Sequence, residues 1–178
     1  AGQKRKELDY VVVKIQHPGV MPLVPDVPQG VPAPSSMGYV ENYLPYLMTS
    51  HKKKGEQYTY GEFLENQIAE IIKMYREDGH NTNQACMMVG NKNSIYLSDP
   101  PCLRMIDTRI QDRKLHFIVY FRSWDLWAGF PSNLAAIQLL KEYMAGEIGV
   151  NDGEIIASSK GLHIYEYAWE LAKQTVKF

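Results

Sequence analysis

The chain has 178 residues, of which 45% are hydrophobic and 22% charged, and its formal net charge is −1. This composition is typical of a globular domain that buries a sizeable core. The near-neutral charge argues against bulk binding of nucleic acid, and the short apolar runs argue against a membrane-spanning segment. The N-terminal AGQKRKELDY lacks the apolar core of a signal peptide, and only two cysteines occur, so we expect a reducing cytoplasm.

In chain order, the first predicted element is a strand over residues 9–16, where apolar and β-branched residues alternate with polar ones. The proline-rich stretch from 17 to 34 predicts an extended or looped arm. Residues 39–54 contain three tyrosines and the basic run HKKK, which we interpret as a solvated turn in preference to a phosphate site. The segment 61–77 places apolar residues at helical spacing and ends before Asp-Gly, which predicts an amphipathic helix.

The next predicted elements are three strands, over 84–89, 103–110 and 114–121. A polar QDR turn joins the last two as a hairpin. Apolar residues then recur at helical spacing from Leu134 to Ile148, with Ser132 or Asn133 expected as the N-cap and Gly149 as the stop. Two short strands, EIIASS and GLHIYEY, and a closing helix, AWELAKQ, complete the pattern. This order predicts an α+β fold with a curved mixed β-sheet and helices packed on one face.

Cys102 is the candidate nucleophile of the sequence. It follows Pro100-Pro101, which cannot continue a sheet, so we expect it at a loop-to-strand junction where a side chain can face a cavity. An arginine beside the thiol would lower its pKa and make it nucleophilic. The alternative is a small buried hydrophobic residue, and this is the interpretation we favour for Cys86 within its apolar strand.

Other polar residues have both a structural and a functional interpretation. Arg122 and Ser123 close a strand, either as an edge salt bridge or as a phosphate clamp. Asn133 is a helix cap or, in a pocket, a reader of a pyrimidine edge, because its amide presents an acceptor beside donors. His163 and Tyr165 share one strand face, as core residues or as a pair that binds a sugar hydroxyl. The sequence shows no zinc-ligand spacing and no glycine-rich phosphate loop, so it predicts no metal site.

Five short motifs, taken in chain order, resemble thymidylate synthase. They are Tyr60-Gly61, Pro101-Cys102, Arg122-Ser123-x-Asp125, Gly129-x-Pro131-x-Asn133 and His163-x-Tyr165. Their order and compatible spacing are more specific than any single motif, and the short chain is similar to the compact archaeal branch. The resemblance implies reductive methylation of dUMP to dTMP, 5,10-methylenetetrahydrofolate as the folate cosubstrate, and a homodimer.

The resemblance also implies catalytic roles for individual residues. Cys102 would be the thiolate that adds to C6 of the uracil ring. Asn133 would pair with the O4/N3 edge and steady the enolate that forms. Tyr60 would belong to the hydrogen-bonded network that serves proton removal from C5, and Asp125 would lie beside the base and the folate.

The remaining matched residues would bind the nucleotide. Arg122 would hold the phosphate and favour the thiolate, and Ser123 would add a phosphate hydrogen bond. His163 and Tyr165 would bind the ribose 3′-hydroxyl. The aromatic residues between the motifs would be apolar walls or core, namely Trp124, Trp127 and Phe130.

The sequence departs from the family's pattern at several positions. Leu103 follows the cysteine, where the family commonly has histidine. Thr82-Asn83 occupy the region of the arginines that the family donates across its dimer interface. Arg5 is the candidate for the N-terminal phosphate arginine, and Glu41 is the candidate for the mid-chain glutamate.

These departures leave two alternatives open. One is a pyrimidine deoxynucleotide hydroxymethylase, in which water attacks the exocyclic methylene. For that enzyme Asn133 would indicate uracil as the substrate base, since cytosine-specific members tend to carry Asp at the base-reading position. The other is a catalytically silent nucleotide-binding homologue, which the intact Cys102 and Asn133 oppose. We expect a single domain over 1–178, with 58–178 as its motif-bearing core and 1–57 as a divergent or truncated N-terminal part.

Overall fold

The computed structural model describes residues 4–176. Its strands and helices, in chain order, are β1 (Arg5–Ile15), α1 (Met37–Met48), α2 (Gly61–Glu77), β2 (Cys86–Met88), β3 (Leu103–Gln111), β4 (Lys114–Phe121), β5 (Trp124–Asp125), α3 (Gly129–Ile148), β6 (Asn151–Tyr165) and α4 (Trp169–Thr175). Short 3₁₀ turns lie at Ser94–Tyr96 and Glu166–Ala168. Over this range of the chain, every helix is too short or too polar to cross a membrane.

Within residues 4–176, six strands form one mixed sheet in the order β1-β6-β4-β3-β2, with the short β5 also beside β6. The β4–β6 and β5–β6 pairs are parallel, and the other pairs are antiparallel. The predicted hairpin of β3 and β4 is confirmed. Its tight turn places Asp112 and Arg113 at φ 51° and 57°, as short hairpin loops require.

The core lies between one face of the sheet and the longer helices. In β4 the alternate residues Leu115, Phe117, Val119 and Phe121 are fully buried, because side chains of a strand point to opposite faces in turn. They belong to one hydrophobic cluster with residues of the helices, among them Leu47, Leu64, Ile68, Ile71, Ile137, Leu140 and Met144. The predicted α+β class, a mixed sheet with helices on one face, is confirmed.

Helix α2 has the bounds that its apolar spacing predicts. The hydroxyl of Thr59 accepts a hydrogen bond from the Glu62 amide at 3.0 Å, which satisfies one of the free donors at the helix start. The same hydroxyl donates to the Thr49 carbonyl at 2.8 Å, so one side chain joins the start of α2 to the end of α1. Gly61 lies directly against the Thr49 backbone at this junction.

The start of α3 corrects the sequence prediction. The helix begins at Gly129, so Ser132 and Asn133 are its fourth and fifth residues and neither is the N-cap. The turn before the helix is held instead by Asp125, whose carboxylate accepts from two backbone amides shortly after it, at 3.1 and 3.3 Å. The prediction that Gly149 ends the helix is confirmed, since Gly149 is the C-cap and has the left-handed conformation at φ 84°.

Helix α1 was not predicted from the sequence. Its start is capped by Ser36, whose hydroxyl accepts from the Tyr39 amide at 3.2 Å, and it continues past an internal Pro45. Proline and several tyrosines weaken the helical signal of this segment, so its stability depends on packing against α2 and α3. The HKKK run that follows is an exposed turn.

The predicted pair of strands near the end of the chain is one continuous strand, β6. Its 15 residues run through Lys160-Gly161 without a turn, because β1 pairs along one edge and β4 along the other. The prediction that Cys86 is a core residue is also wrong. This cysteine begins β2 and is only half-buried, beside Asp107 of β3.

Candidate active site

The loop that carries Cys102 is held from two sides by residues of the matched motifs. The backbone amide of Arg122, just beyond β4, donates to the Cys102 carbonyl at 2.8 Å. On the other side the hydroxyl of Tyr60, which is only 6% exposed, accepts from the Leu103 amide at 3.4 Å. Three predicted site residues therefore meet where β3 begins and β4 ends.

The guanidinium group of Arg122 closes over the same loop. Its Nε donates to the Pro101 carbonyl at 3.2 Å, and its Nη2 donates to Asp99 at 3.1 Å and to the Pro100 carbonyl. Among the described residues these bonds use Nε and Nη2, which leaves the two hydrogens of Nη1 for a further acceptor. Arg122 thus fixes the cysteine loop and still has a donor pair available for a ligand.

The pKa of the Cys102 thiol differs from the expectation. Burial raises the pKa above its ordinary value, and the positive charge of Arg122, which lowers it, does not compensate. The carboxylate of Asp99 also raises it. In the free protein the thiol is therefore protonated at neutral pH.

Five tyrosines form a continuous cluster beside the cysteine loop, and we call Tyr39, Tyr43, Tyr46, Tyr58 and Tyr60 the tyrosine cluster. The rings of the first three, on one face of α1, are 6.3 and 5.5 Å apart in succession, and the last of them is 5.3 Å from Tyr60. Burial raises the pKa of Tyr46 to about 12 and that of Tyr43 and Tyr60 well above the usual value. These hydroxyls stay protonated and can donate hydrogen bonds.

Tyr43 is a candidate site residue that the sequence did not point to. The signal was the i, i+4, i+7 spacing of tyrosines at 39, 43 and 46, which places them on one helix face. Glu41, the candidate for the family's mid-chain glutamate, is exposed on α1.

The amide of Asn133 contacts two aromatic side chains. Its Oδ1 accepts from the indole Nε1 of Trp124 at 2.9 Å, and its Nδ2 donates to the hydroxyl of Tyr43 at 2.9 Å. Asn133 also lines a cavity of about 360 Å³, together with Pro34, Tyr39, Ala128, Gly129 and Ser132. Tyr43 thereby connects Asn133 to the tyrosine cluster, whose other end contacts the cysteine loop.

Arg122 and Ser123 line a second, mainly polar cavity of about 450 Å³. Its other walls come from β1 and β6, including Arg5, Lys160 and Glu7. Arg5 pairs with Glu7 at 2.8 Å. The walls of this cavity therefore carry three basic side chains, from Arg122, Arg5 and Lys160, and two acidic ones, from Glu7 and Asp9.

His163 and Asp125 lie opposite each other, because β5 and β6 pair at these two residues. The His163 ring packs edge-on against Tyr165, with centroids 4.8 Å apart. Its Nδ1 lies 3.4 Å from the Gly161 carbonyl, while its buried Nε2 has no hydrogen-bond partner among the described residues. A buried ring nitrogen in this state suits a ligand hydroxyl. Both carboxylate oxygens of Asp125 are engaged by the turn before α3.

The structure therefore groups the predicted residues into neighbouring sets. Tyr60, Cys102, Arg122 and Ser123 meet around the cysteine loop, as their contacts show. Asn133 joins them through the tyrosine cluster. The remaining predicted residues lie together along β5 and β6: Asp125, His163 and Tyr165.

The chain is similar in sequence to known proteins of one family. A family model described as thymidylate synthase matches residues 46–177. A protein of Methanosarcina acetivorans named "Putative thymidylate synthase" is 29% identical over 144 residues, which cover 78% of this chain and 66% of that protein. A protein of the same name from Methanothermobacter thermautotrophicus is 29% identical over 146 residues, or 79% and 63% of the two chains. The thymidylate synthase of Listeria monocytogenes serovar 1/2a is 30% identical over 110 residues, or 61% and 35%. The matched part spans just under two thirds of the length of the archaeal relatives.

Proposed function

Since the chain belongs to the thymidylate synthase family, we propose that it methylates dUMP reductively to dTMP with 5,10-methylenetetrahydrofolate. The observation that carries the proposal is the position of Cys102, between the Tyr60 hydroxyl and the Arg122 guanidinium. A thiol needs a nearby cation to become a nucleophile, and the Cys102 thiol is only partly buried, so a substrate can reach it.

In the proposed reaction the Cys102 thiolate attacks C6 of the uracil ring. The new S–C6 bond moves the C5–C6 electron pair toward O4, and Asn133 stabilises the enolate by donating from Nδ2. The enolate carbon C5 would then form a bond to the one-carbon unit, whose bond to the folate nitrogen breaks and leaves its electron pair on that nitrogen. The protonated Tyr60 belongs to the network that accepts and passes on the proton that C5 then loses. The folate would also supply the hydride that reduces the one-carbon unit to a methyl group, and it would leave as dihydrofolate. Cleavage of the S–C6 bond returns the electron pair to Cys102.

The phosphate and sugar of the nucleotide fit the polar cavity and its neighbours. We assign the phosphate to the cavity lined by Arg122 and Ser123, where Lys160 adds positive charge and the charge of Arg5 is offset by its partner Glu7. The unpartnered Nε2 of His163 supports a hydrogen bond to the ribose 3′-hydroxyl, with Tyr165 packed beside it.

The cavity beside Asn133 fits a flat heterocycle such as the pterin of a folate. Its volume of about 360 Å³ lies within the range of small-molecule pockets, and its walls include the aromatic ring of Tyr39 and the start of α3. Asp125 holds the turn just before that helix start, so its role toward the folate would be to position it.

The test is covalent trapping with 5-fluoro-dUMP and methylenetetrahydrofolate, followed by intact-protein mass spectrometry. Fluorine cannot leave C5 as a proton does, so we expect a mass increase equal to both ligands. The adduct should vanish in Cys102→Ser and persist in Cys86→Ser, which changes the other cysteine and is the matched control. A folded protein that gains no mass contradicts the proposal.

A silent nucleotide-binding homologue is the second candidate, and one observation favours it. The pKa of Cys102 is raised in the free protein while Arg122 is engaged by Asp99. Nucleotide binding without any covalent adduct would identify this case. A hydroxymethylase would turn over nucleotide without producing dihydrofolate, which absorbance spectroscopy detects.

We also infer that the protein pairs with a second copy through the sheet face away from the helices. Residues paired across the sheet share a face, and one such row is Val12, Ser158, Tyr120, Met105 and Met88. Val12 and Met88 are 69% and 54% exposed. An uncovered sheet face with a row of exposed apolar residues is typical of a protein interface, and the family resemblance favours a homodimer.

A further inference from the structure

The amide of Asn133 has only one orientation that satisfies its neighbours. The indole N–H of Trp124 is a donor and never an acceptor, so the atom that faces it at 2.9 Å must be Oδ1. The Nδ2 group then points to the hydroxyl of Tyr43, also at 2.9 Å. Turning the amide over would place an NH₂ group against an N–H donor and lose a partly buried hydrogen bond.

Trp124 is itself held firmly in place. Its side chain is 3% exposed and stacks on Phe121 with ring centroids 4.0 Å apart and planes within 6°. The ring of Phe130 packs on it with centroids 4.6 Å apart, and its backbone pairs with Leu162 of β6. The donor therefore cannot follow Asn133 if the amide turns.

The fixed amide keeps one lone pair on Oδ1 and one hydrogen on Nδ2 for a ligand. The edge of uracil offers N3–H as a donor and O4 as an acceptor, which match this pair. Cytosine offers N3 as an acceptor and the 4-amino group as a donor, so it would need the amide in the reverse orientation. The reversed amide costs the bond to Trp124.

We infer that Trp124 is a positioning residue that makes the site select uracil over cytosine, by fixing the orientation of the Asn133 amide. This inference rests on the proposed function. Tyr43 contacts the same amide but carries no such selectivity, because a hydroxyl can donate to Oδ1 as readily as it accepts from Nδ2. The two contacts of Asn133 therefore have different consequences for base choice.

The test compares dissociation constants for dUMP and dCMP by isothermal titration calorimetry. Trp124→Phe removes the N–H and keeps an aromatic ring on Phe121. We expect the ratio of the dissociation constant for dCMP to that for dUMP to fall roughly tenfold, because one partly buried hydrogen bond that opposes the reversed amide is lost. Tyr43→Phe is the matched control, because it also removes one hydrogen bond to Asn133. Its ratio should stay within about twofold of the wild-type value.

A second variant keeps the test valid if Trp124→Phe does not fold. Site-specific replacement of Trp124 by 3-benzothienylalanine keeps the bicyclic shape and removes only the N–H, and it should lower the ratio by the same factor. A wild-type ratio in either folded variant would overturn the inference while leaving dUMP binding, and so the proposed function, intact. A wild-type protein that binds neither nucleotide would overturn both.

Discussion

Among the glycines that the structure describes, Gly61 leaves the least room for an added Cβ, which leads to a quantitative prediction for Gly61→Ala. An ideal Cβ at Gly61 would lie 2.1 Å from both the N and the O atoms of Thr49 and 2.3 Å from its carbonyl carbon. Those backbone atoms cannot rotate away as a side chain does. The Thr49 amide bonds to Pro45 at the end of α1, and its carbonyl accepts from Thr59, so relief of the clash must separate α1 from α2.

The magnitude follows from the cost of overpacking. Inserting a methyl group into a packed interior typically costs about 1–3 kcal/mol, and a clash with backbone that also breaks the Thr59–Thr49 hydrogen bond belongs at or above the upper end. We expect the free energy of unfolding to fall by about 3 kcal/mol or more. For a chain of this length that corresponds to a drop in Tm of roughly 6–12 °C.

Chemical denaturation and differential scanning calorimetry measure this change. Gly146→Ala is the matched control, since Gly146 lies inside α3 with no atom within 4 Å of its added Cβ. The control should stabilise the protein by about 0.5–1 kcal/mol, because alanine is the better helix former. If Gly61→Ala changes the free energy of unfolding by less than about 1 kcal/mol, the packing argument at this junction is wrong.

Three further predictions concern the site and the open sheet face. Lys160→Gln should weaken the binding of dUMP about fivefold, by loss of one exposed charge, and leave the binding of deoxyuridine unchanged. The control Lys114→Gln, at the other end of the sheet, should change the binding of neither ligand. Equal weakening of both ligands by Lys160→Gln would show that Lys160 does not contact the phosphate. Because burial raises the Cys102 pKa, its alkylation by iodoacetamide in the free protein should keep accelerating above pH 8, and a plateau by pH 7.5 would contradict this. Tyr120→Lys should convert a dimer to a monomer in sedimentation velocity, and a monomeric wild-type protein would refute the proposed interface.

The elements with strong local signals were predictable. Helix α2 and strand β4 were found at their full lengths, since both have apolar residues at the spacing of one face. The start of α3 was misplaced because its turn is held by Asp125, which precedes the helix and has no signature of its own as a cap. Helix α1 was not predicted because Pro45 and the tyrosines have weak helical propensity. Its stability comes from packing against α2 and α3, which lie elsewhere in the chain.

The site was predictable in its residue types and not in its contacts. The order of Cys102, Arg122 and Asn133 indicated their chemistry, and the structure brings the first two together. The bond between Asn133 and Tyr43 joins residues 90 positions apart, and no local pattern reveals such a pair. The pKa of Cys102 was misjudged for the same reason, because burial is a property of the assembled fold.

The pairing of β1 with β6 determines when the sheet can be completed during synthesis. Arg5 lies opposite Tyr165, so this ladder closes a loop that contains nearly the whole described chain, and contacts of such separation form late in folding. Strand β1 leaves the ribosome long before β6 exists. Until then the backbone N–H and C=O groups of β1 are unpaired, and other chains can bind to them. The strand also exposes the apolar residues Leu8, Tyr10 and Val12, which stay exposed even after β1 pairs with β6. Strand β1 is therefore expected to be the part of the chain most exposed to aggregation before folding is complete.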